Sequence, residues 1–129
     1  MRLLFDSHVL LAVVRNDVAA KLGGAIELLL ASQSNDKIVS VASLWEIAIK
    51  HRLSKLHFAL PIEDFPQYFG SLGFDLLAVD HRHAVERLKD EPGTRDPFDR
   101  MLLAQCQVED LRLVTIDRTL VSHPLAWRL

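Results

Sequence analysis

Short apolar runs alternate with longer stretches of helical period along this chain. Leu3-Leu4-Phe5 is an unbroken apolar run that stops at Asp6, the pattern of a strand buried on both faces of a parallel sheet. Beyond it Leu10, Leu11, Val13 and Val14 keep a helical period, and Ser7 is placed to N-cap that helix. Gly23-Gly24 interrupts the next helical stretch, in which Leu22, Ile26, Leu29 and Leu30 hold the period. Ser34-Asn35-Asp36 marks a turn, and Ile38-Val39-Ser40-Val41 a second strand. Ser43-Leu44-Trp45-Glu46 has the S-x-x-E spacing of a capping box, ahead of a helix ending near Leu56. Pro61 and Gly73 bound a loop with a short helix. A third strand is expected over 74–79, followed by a helix capped by Asp80 and running to Leu88. A loop over 91–94 leads to a helix from Pro97 to near Asp110, and a fourth strand over 111–116 ends at Asp117. The tail, with Pro124 and then 125–129, is expected to add an edge strand.

Strands alternating with helices predict one α/β domain over 1–129, three-layered α/β/α, with a mainly parallel sheet. Such sheets bind ligands at the carboxyl ends of their strands, near the point where strand order reverses. Asp6 and Asp117 stand at two such ends, and Glu46 and Asp99 are expected in first turns of helices entered from that edge. With the first and fourth strands as neighbours, all four acids surround one crevice.

The stretch Arg95-Asp96-Pro97-Phe98-Asp99-Arg100 concentrates this chemistry. Asp96 suits an N-cap and Pro97 the first helical position, where its missing N–H costs nothing. Asp99 then heads a stripe with Leu103 and Cys106, spaced i, i+4, i+7, and so carries a charge onto an apolar face. Taken singly, each acid has a plainer role. Asp96 caps a helix, Glu46 completes the capping box or pairs with Lys50, and Asp117 begins a turn. Taken together, the carboxylates repel one another unless cations intervene. Oxygen-only ligands favour Mg²⁺ or Mn²⁺ over zinc, and no histidine here has zinc-ligand spacing. Divalent metals held by carboxylates suit phosphoryl chemistry.

Composition adds limits rather than direction. Half of the residues are hydrophobic and a quarter charged, an ordinary globular balance, and the formal net charge is −2. No bulk basic field for nucleic acid exists, which weighs little against a site neutralised by bound cations. The single cysteine, Cys106, falls in an apolar helical pattern and reads as a buried thiol. A charge close to the start and no apolar run long enough for a membrane read as a cytoplasmic protein.

Four blocks, in order, carry a resemblance. Leu3-Leu4-Phe5-Asp6-Ser7-His8-Val9-Leu10-Leu11 resembles the opening of PIN-domain proteins. Val39-Ser40-Val41-Ala42-Ser43-Leu44-Trp45-Glu46-Ile47-Ala48-Ile49-Lys50 looks like their second block, and 95–105 and Leu113-Val114-Thr115-Ile116-Asp117 like the third and fourth. The likeness is strongest to VapC-like ribonuclease toxins of type II toxin–antitoxin pairs. It implies a PIN-like fold and a Mg²⁺- or Mn²⁺-dependent endoribonuclease. It also implies a catalytic and metal-binding quartet of Asp6, Glu46, Asp99 and Asp117, with Asp96 either an added ligand or a cap. Ser7 stands where many relatives carry threonine and keeps a hydroxyl able to bond a site carboxylate. An RNA substrate, a homodimer and inhibition by a small antitoxin follow from the same resemblance.

Lys50, Arg52, Arg95, Arg100 and Arg118 flank the acids in sequence and are candidate RNA-phosphate contacts. Trp45 and Phe98 are placed to stack on bases, although their helical spacing favours core packing, and His81 and His83 read as solvated. An antitoxin helix is expected in a groove of leucines and isoleucines from the first two helices and the helix after Ser43. The alternatives are a housekeeping RNA-processing nuclease and a catalytically weak module acting through partners. A haloacid-dehalogenase-type phosphatase would want an acid where His8 stands. A receiver domain would want paired acids after the first strand, and a dinucleotide-binding domain a glycine-rich turn in place of Asp6-Ser7-His8.

Overall fold

The computed structural model describes residues 1–128. Its centre is a four-stranded, all-parallel sheet in the order β3-β2-β1-β4. The strands are β1 (Arg2–Phe5), β2 (Asp36–Ser40), β3 (Phe74–Leu77) and β4 (Arg112–Val114). The helices are α1 (Ser7–Arg15), α2 (Val18–Leu22), α3 (Gly24–Ala31), α4 (Val41–Arg52), α5 (Phe65–Ser71), α6 (His81–Ala84) and α7 (Pro97–Glu109). A single 3₁₀ turn, Ile62–Asp64, precedes α5. The alternation of side chains along β1 divides the core. Leu3 and Phe5 pack with Val9, Leu10, Ile47, Phe65 and Phe69 on one face. Leu4 packs with Ile38, Leu103, Cys106 and Leu113 on the other. Each fully buried Leu or Phe contributes about 1.5–3 kcal/mol, so the sheet is held from both sides, as a three-layer α/β/α architecture requires. Gly23, at φ +89°, breaks the helical path between α2 and α3.

The elements are shorter than the apolar runs suggested, because a strand ends where its neighbour ends. β1 stops at Phe5 as the chain turns into α1, and the Asp6 N–H makes the last bond to the Val114 carbonyl (3.1 Å). β4 therefore ends at Val114 rather than at 116, leaving Asp117 in a turn. β3 ends at Leu77, opposite Ser40, the last residue of β2, rather than at 79. β2 itself gives way to α4 at Val41 because the buried Ser40 hydroxyl accepts the Ala42 N–H (3.0 Å) and caps that helix. The expected capping box of Ser43 with Glu46 is not formed. Ser43 lies inside α4, its hydroxyl buried without a partner, and Glu46 is in the second turn rather than the first.

The helix expected to run to Leu88 is only α6, a single turn. Gln107 of α7 clips the segment that follows, donating to the Arg87 carbonyl (2.9 Å) and accepting the Lys89 N–H (3.0 Å), which takes up backbone groups a continued helix would need. The tail forms one parallel bridge, Leu113 with Ala126, rather than a strand, and residue 129 of that expectation lies outside the described residues. The expected leucine- and isoleucine-lined groove is core instead: Leu10, Leu11, Ile26, Leu29 and Ile47 are buried together. Among the described residues no helix is long and apolar enough to cross a membrane.

Since β1 lies between β2 and β4, the strand order reverses between β1 and β4. Asp6 leaves the first of these strands and Asp117 follows the second. The helices carrying Glu46 and Asp99, α4 and α7, are in contact with each other, and α4 also contacts α1.

Candidate active site

Asp6 ends β1 in extended conformation (φ −76°, ψ 171°), and its Oδ1 accepts the His8 and Val9 N–H groups (3.1 and 3.2 Å). Asp6, not Ser7, thus caps α1. That frees the buried Ser7 hydroxyl to donate to Glu46 Oε1 (2.5 Å), while the Lys50 ammonium, one turn along α4, donates to Glu46 Oε2 (2.6 Å). Both oxygens of Glu46 are therefore oriented. The second oxygen of Asp6 accepts the Thr115 hydroxyl, and Thr115 Oγ1 accepts the Asp117 N–H (3.0 Å). Thr115 links the two acids across the switch point. Sequence reading passed over it, though its position two residues before Asp117, continuing the strand's alternation, was a usable signal.

Asp96 caps α7 as expected, accepting the Phe98 and Asp99 N–H groups (2.8 and 3.3 Å). Asp99 follows in the first turn, half-buried, with the Thr94 hydroxyl donating to its Oδ2 (3.2 Å). Asp117 accepts both the N–H and the hydroxyl of Thr119 (2.9 and 2.7 Å).

Burial and neighbouring charge shift the ionisation of these groups. Burial, then the charges of Asp96, Asp117 and Glu46, push the Asp99 carboxyl from 3.8 up to about 6. Thr119 holds Asp117 below its usual range. Burial raises Asp6, against the opposing effect of the Thr115 hydroxyl. The Glu46 hydrogen bond, with smaller help from Asp96 and Asp99, holds Lys50 more firmly protonated. The exposed His8 draws both Asp6 and Asp117 downward, which puts its ring at the rim of the cluster. Glu46, Asp96 and Asp117 thus act on Asp99, Lys50 is bonded to Glu46, and Asp6 is tied to Asp117 through Thr115 and to Glu46 through the neighbouring Ser7. An all-oxygen donor set with this excess of negative charge fits a hard divalent cation.

The candidate RNA contacts divide. Lys50 is drawn into the site by Glu46. Arg100 turns away to Glu91 (2.5 and 3.1 Å), because the loop before α7 brings that acid alongside. Arg52, Arg95 and Arg118 are exposed. Trp45 does not pack in the core: it is 61% exposed and meets Phe98 edge-on (centroids 5.8 Å apart). The buried stripe of α4 runs through Ala42, Ser43, Glu46 and Ile47, and at 100° per residue Trp45 falls on the opposite side. Together with Val41, Ala42, Val79 and Met101, the two rings line an apolar groove of about 430 Å³.

Asp80, His83 and Glu109 form a second acidic group. His83 is buried rather than solvated. Its Nδ1 accepts the Asp80 N–H (3.0 Å), which leaves the proton on Nε2, and Nε2 donates to Glu109 (2.9 Å). Arg82 bridges Asp80 and Glu109 (2.9 and 2.8 Å). With both ring nitrogens engaged and an arginine neutralising the acids, this group is an internally satisfied clamp between α6 and α7.

Acids carried at the switch point of a parallel α/β sheet stand where proteins of this architecture bind their ligands. The PIN domain family matches residues 3–123, and the chain belongs to that family. PIN domains are generally metal-dependent nucleases that use divalent metals. No curated protein matches the chain.

Proposed function

We propose that this protein is a Mg²⁺- or Mn²⁺-dependent endoribonuclease of the cytoplasm, the toxin of a toxin–antitoxin pair. In this reading Asp6, Glu46, Asp99 and Asp117 are the catalytic and metal-binding acids, and Asp96 caps α7 beside them. The observation that carries it is the crowding around Asp99, whose carboxyl is raised to about 6 by burial and by its acidic neighbours. Metal bound there would supply an activated water and stabilise the leaving oxyanion. The chain's own groups hold the acids ready. Ser7 and Lys50 fix the two oxygens of Glu46, and Thr115 fixes Asp6 against the turn that carries Asp117. Arg52, Arg95 and Arg118 lie exposed on the segments bearing the acids, as phosphate contacts would.

The test is cleavage of labelled single-stranded RNA by protein stripped of metal. The stripped protein is expected to be inactive, and Mg²⁺ or Mn²⁺ to restore cutting. Undiminished cutting after verified metal removal contradicts the proposal.

The homodimer implied by the resemblance has a fitting surface in the apolar groove, around which Val41, Trp45 and Val79 are 40%, 61% and 38% exposed. Trp45→Glu is expected to yield a folded monomer in sedimentation, and a monomeric parent protein would end the dimer reading. Control by an antitoxin has its counterpart in the unneutralised acids, among which an inserted arginine would form bidentate pairs in place of metal. The product of the gene immediately upstream is expected to copurify and to suppress cleavage at stoichiometric amounts. If it does neither, the toxin assignment fails while the nuclease assignment stands.

A further inference from the structure

A second groove, of about 160 Å³, lies beside the acids between α1, α2 and the turn after β4. Ala12, Leu22 and Ile116 form its apolar lining, Arg15 and Lys21 contribute its cations, and His8 stands at one end as a ring able to donate a hydrogen bond. His8, Ala12 and Arg15 are spaced i, i+4, i+7 and so form one stripe along α1. His8 and Arg15 stand about 10 Å apart along the helix axis, at 1.5 Å per residue, with the small Ala12 between them.

These cations are free in a way that Lys50 and Arg100 are not. The ion pairs of the described residues engage Lys50, Arg82, His83 and Arg100, and neither Arg15 nor Lys21 is in one. Arg15 is also pre-positioned: its Nε and Nη2 both donate to the His57 carbonyl (3.2 and 2.6 Å), which fixes the guanidinium without using Nη1 or neutralising its charge. His8 lies two residues after the proposed metal-site acid Asp6, so the stripe begins beside that acid and leads away from it. The apolar groove on the other side of the site has no charged lining residue. Charge complementarity to a polyanion is found along α1 and not there. Asp17 is the one acid of this groove, half-buried, and its Oδ1 is without a partner.

We propose that the groove along α1 is the subsite for the RNA strand on one side of the scissile bond, with His8, Arg15 and Lys21 holding its phosphates. The proposal rests on the ribonuclease reading and names where its substrate runs. The contacts are to the backbone, so they set affinity and register without reading sequence.

The experiment measures steady-state cleavage of a labelled single-stranded RNA at fixed Mg²⁺ over a range of monovalent salt. The proteins compared are the parent, Arg15→Gln, Lys21→Gln, the double variant, and Lys55→Gln as an exposed cation outside the groove. Each groove substitution is expected to raise KM about 3- to 10-fold with kcat little changed. Each should also flatten the dependence of log KM on log salt by about 0.7, and the double variant by about 1.4. Asp17→Asn should move KM in the opposite direction, and Lys55→Gln should match the parent. A double variant with parental KM and salt slope overturns the proposal. If that variant has also lost capture of the upstream gene product, the groove belongs to a protein partner instead. Failure of the parent protein itself to cut RNA in the presence of metal is a separate result, and that one overturns the ribonuclease reading.

Discussion

Asp99→Asn is expected to abolish cleavage while making the metal-free protein more stable. Both effects have one cause. The Asp99 carboxyl is raised from 3.8 to about 6 by burial and by Asp96, Asp117 and Glu46, so its ionised form is strained at neutral pH. Between those two pH values the folded protein holds a proton that the unfolded chain releases. The stability of the metal-free protein therefore falls as pH rises from about 4 through 6, and the loss is complete above it. A neutral amide removes that loss. Because Asp99 is only half-buried, solvent screening reduces the gain to about 1 kcal/mol. Denaturant unfolding in chelator should show parent and variant close together near pH 4 and the variant ahead at pH 7.5. The same amide takes away a charged metal ligand, and activity should fall at least about 100-fold, equivalent to several kcal/mol of transition-state charge stabilisation. Asp96→Asn should behave differently, since asparagine caps helices as well as aspartate does and the bonds to Phe98 and Asp99 survive. Loss of cleavage in Asp96→Asn with retention in Asp99→Asn would assign the third acid to Asp96.

Asp6→Asn carries the other large effect, with little change in fold. The amide oxygen can keep both capping bonds to His8 and Val9, and the Thr115 hydroxyl can turn to accept the new N–H. Stability should stay within about 1 kcal/mol, on the scale of one exchanged hydrogen bond. Cleavage should drop about 100-fold or more, because the acid nearest the switch point loses its charge. Circular dichroism and a matched melting temperature separate lost chemistry from lost folding. An Asp6→Asn protein that cuts RNA at the parental rate removes Asp6 from the site.

What was legible in the sequence was local. Asp6 follows from the end of a buried run, Asp96 from the pairing of an N-cap with Pro97, and the buried Cys106 from the helical stripe below Asp99. The placing of Asp6 and Asp117 at the ends of adjacent strands followed from the parallel topology, once the first and fourth strands were neighbours. What was not legible depends on partners far apart in the chain. Ser7 meets Glu46 and Ser40 donates to Gln105 (2.5 Å) only after folding. Strand lengths are set by the adjacent strand, so β3 and β4 stop short of their own apolar runs. His83 looked like a solvated residue on a charged helix, and Glu109, 26 positions away, fixes it as a buried one. For Trp45 the difference lay in which stripe of α4 is buried. The stripe that the sheet and α7 bury is Ala42, Ser43, Glu46 and Ile47, two of them polar, and Trp45 lies off it in solvent.

The most direct test of the central claim is a calorimetric titration of Mn²⁺ into the stripped protein at pH 7.5, using the parent, Asp99→Asn and Glu109→Gln. The two variants separate the cluster at the sheet edge from the Asp80–His83–Glu109 clamp. The account predicts that binding weakens by at least about tenfold in Asp99→Asn, the scale of losing even an outer-shell partner, and is unchanged in Glu109→Gln. Binding retained in Asp99→Asn and lost in Glu109→Gln would contradict it.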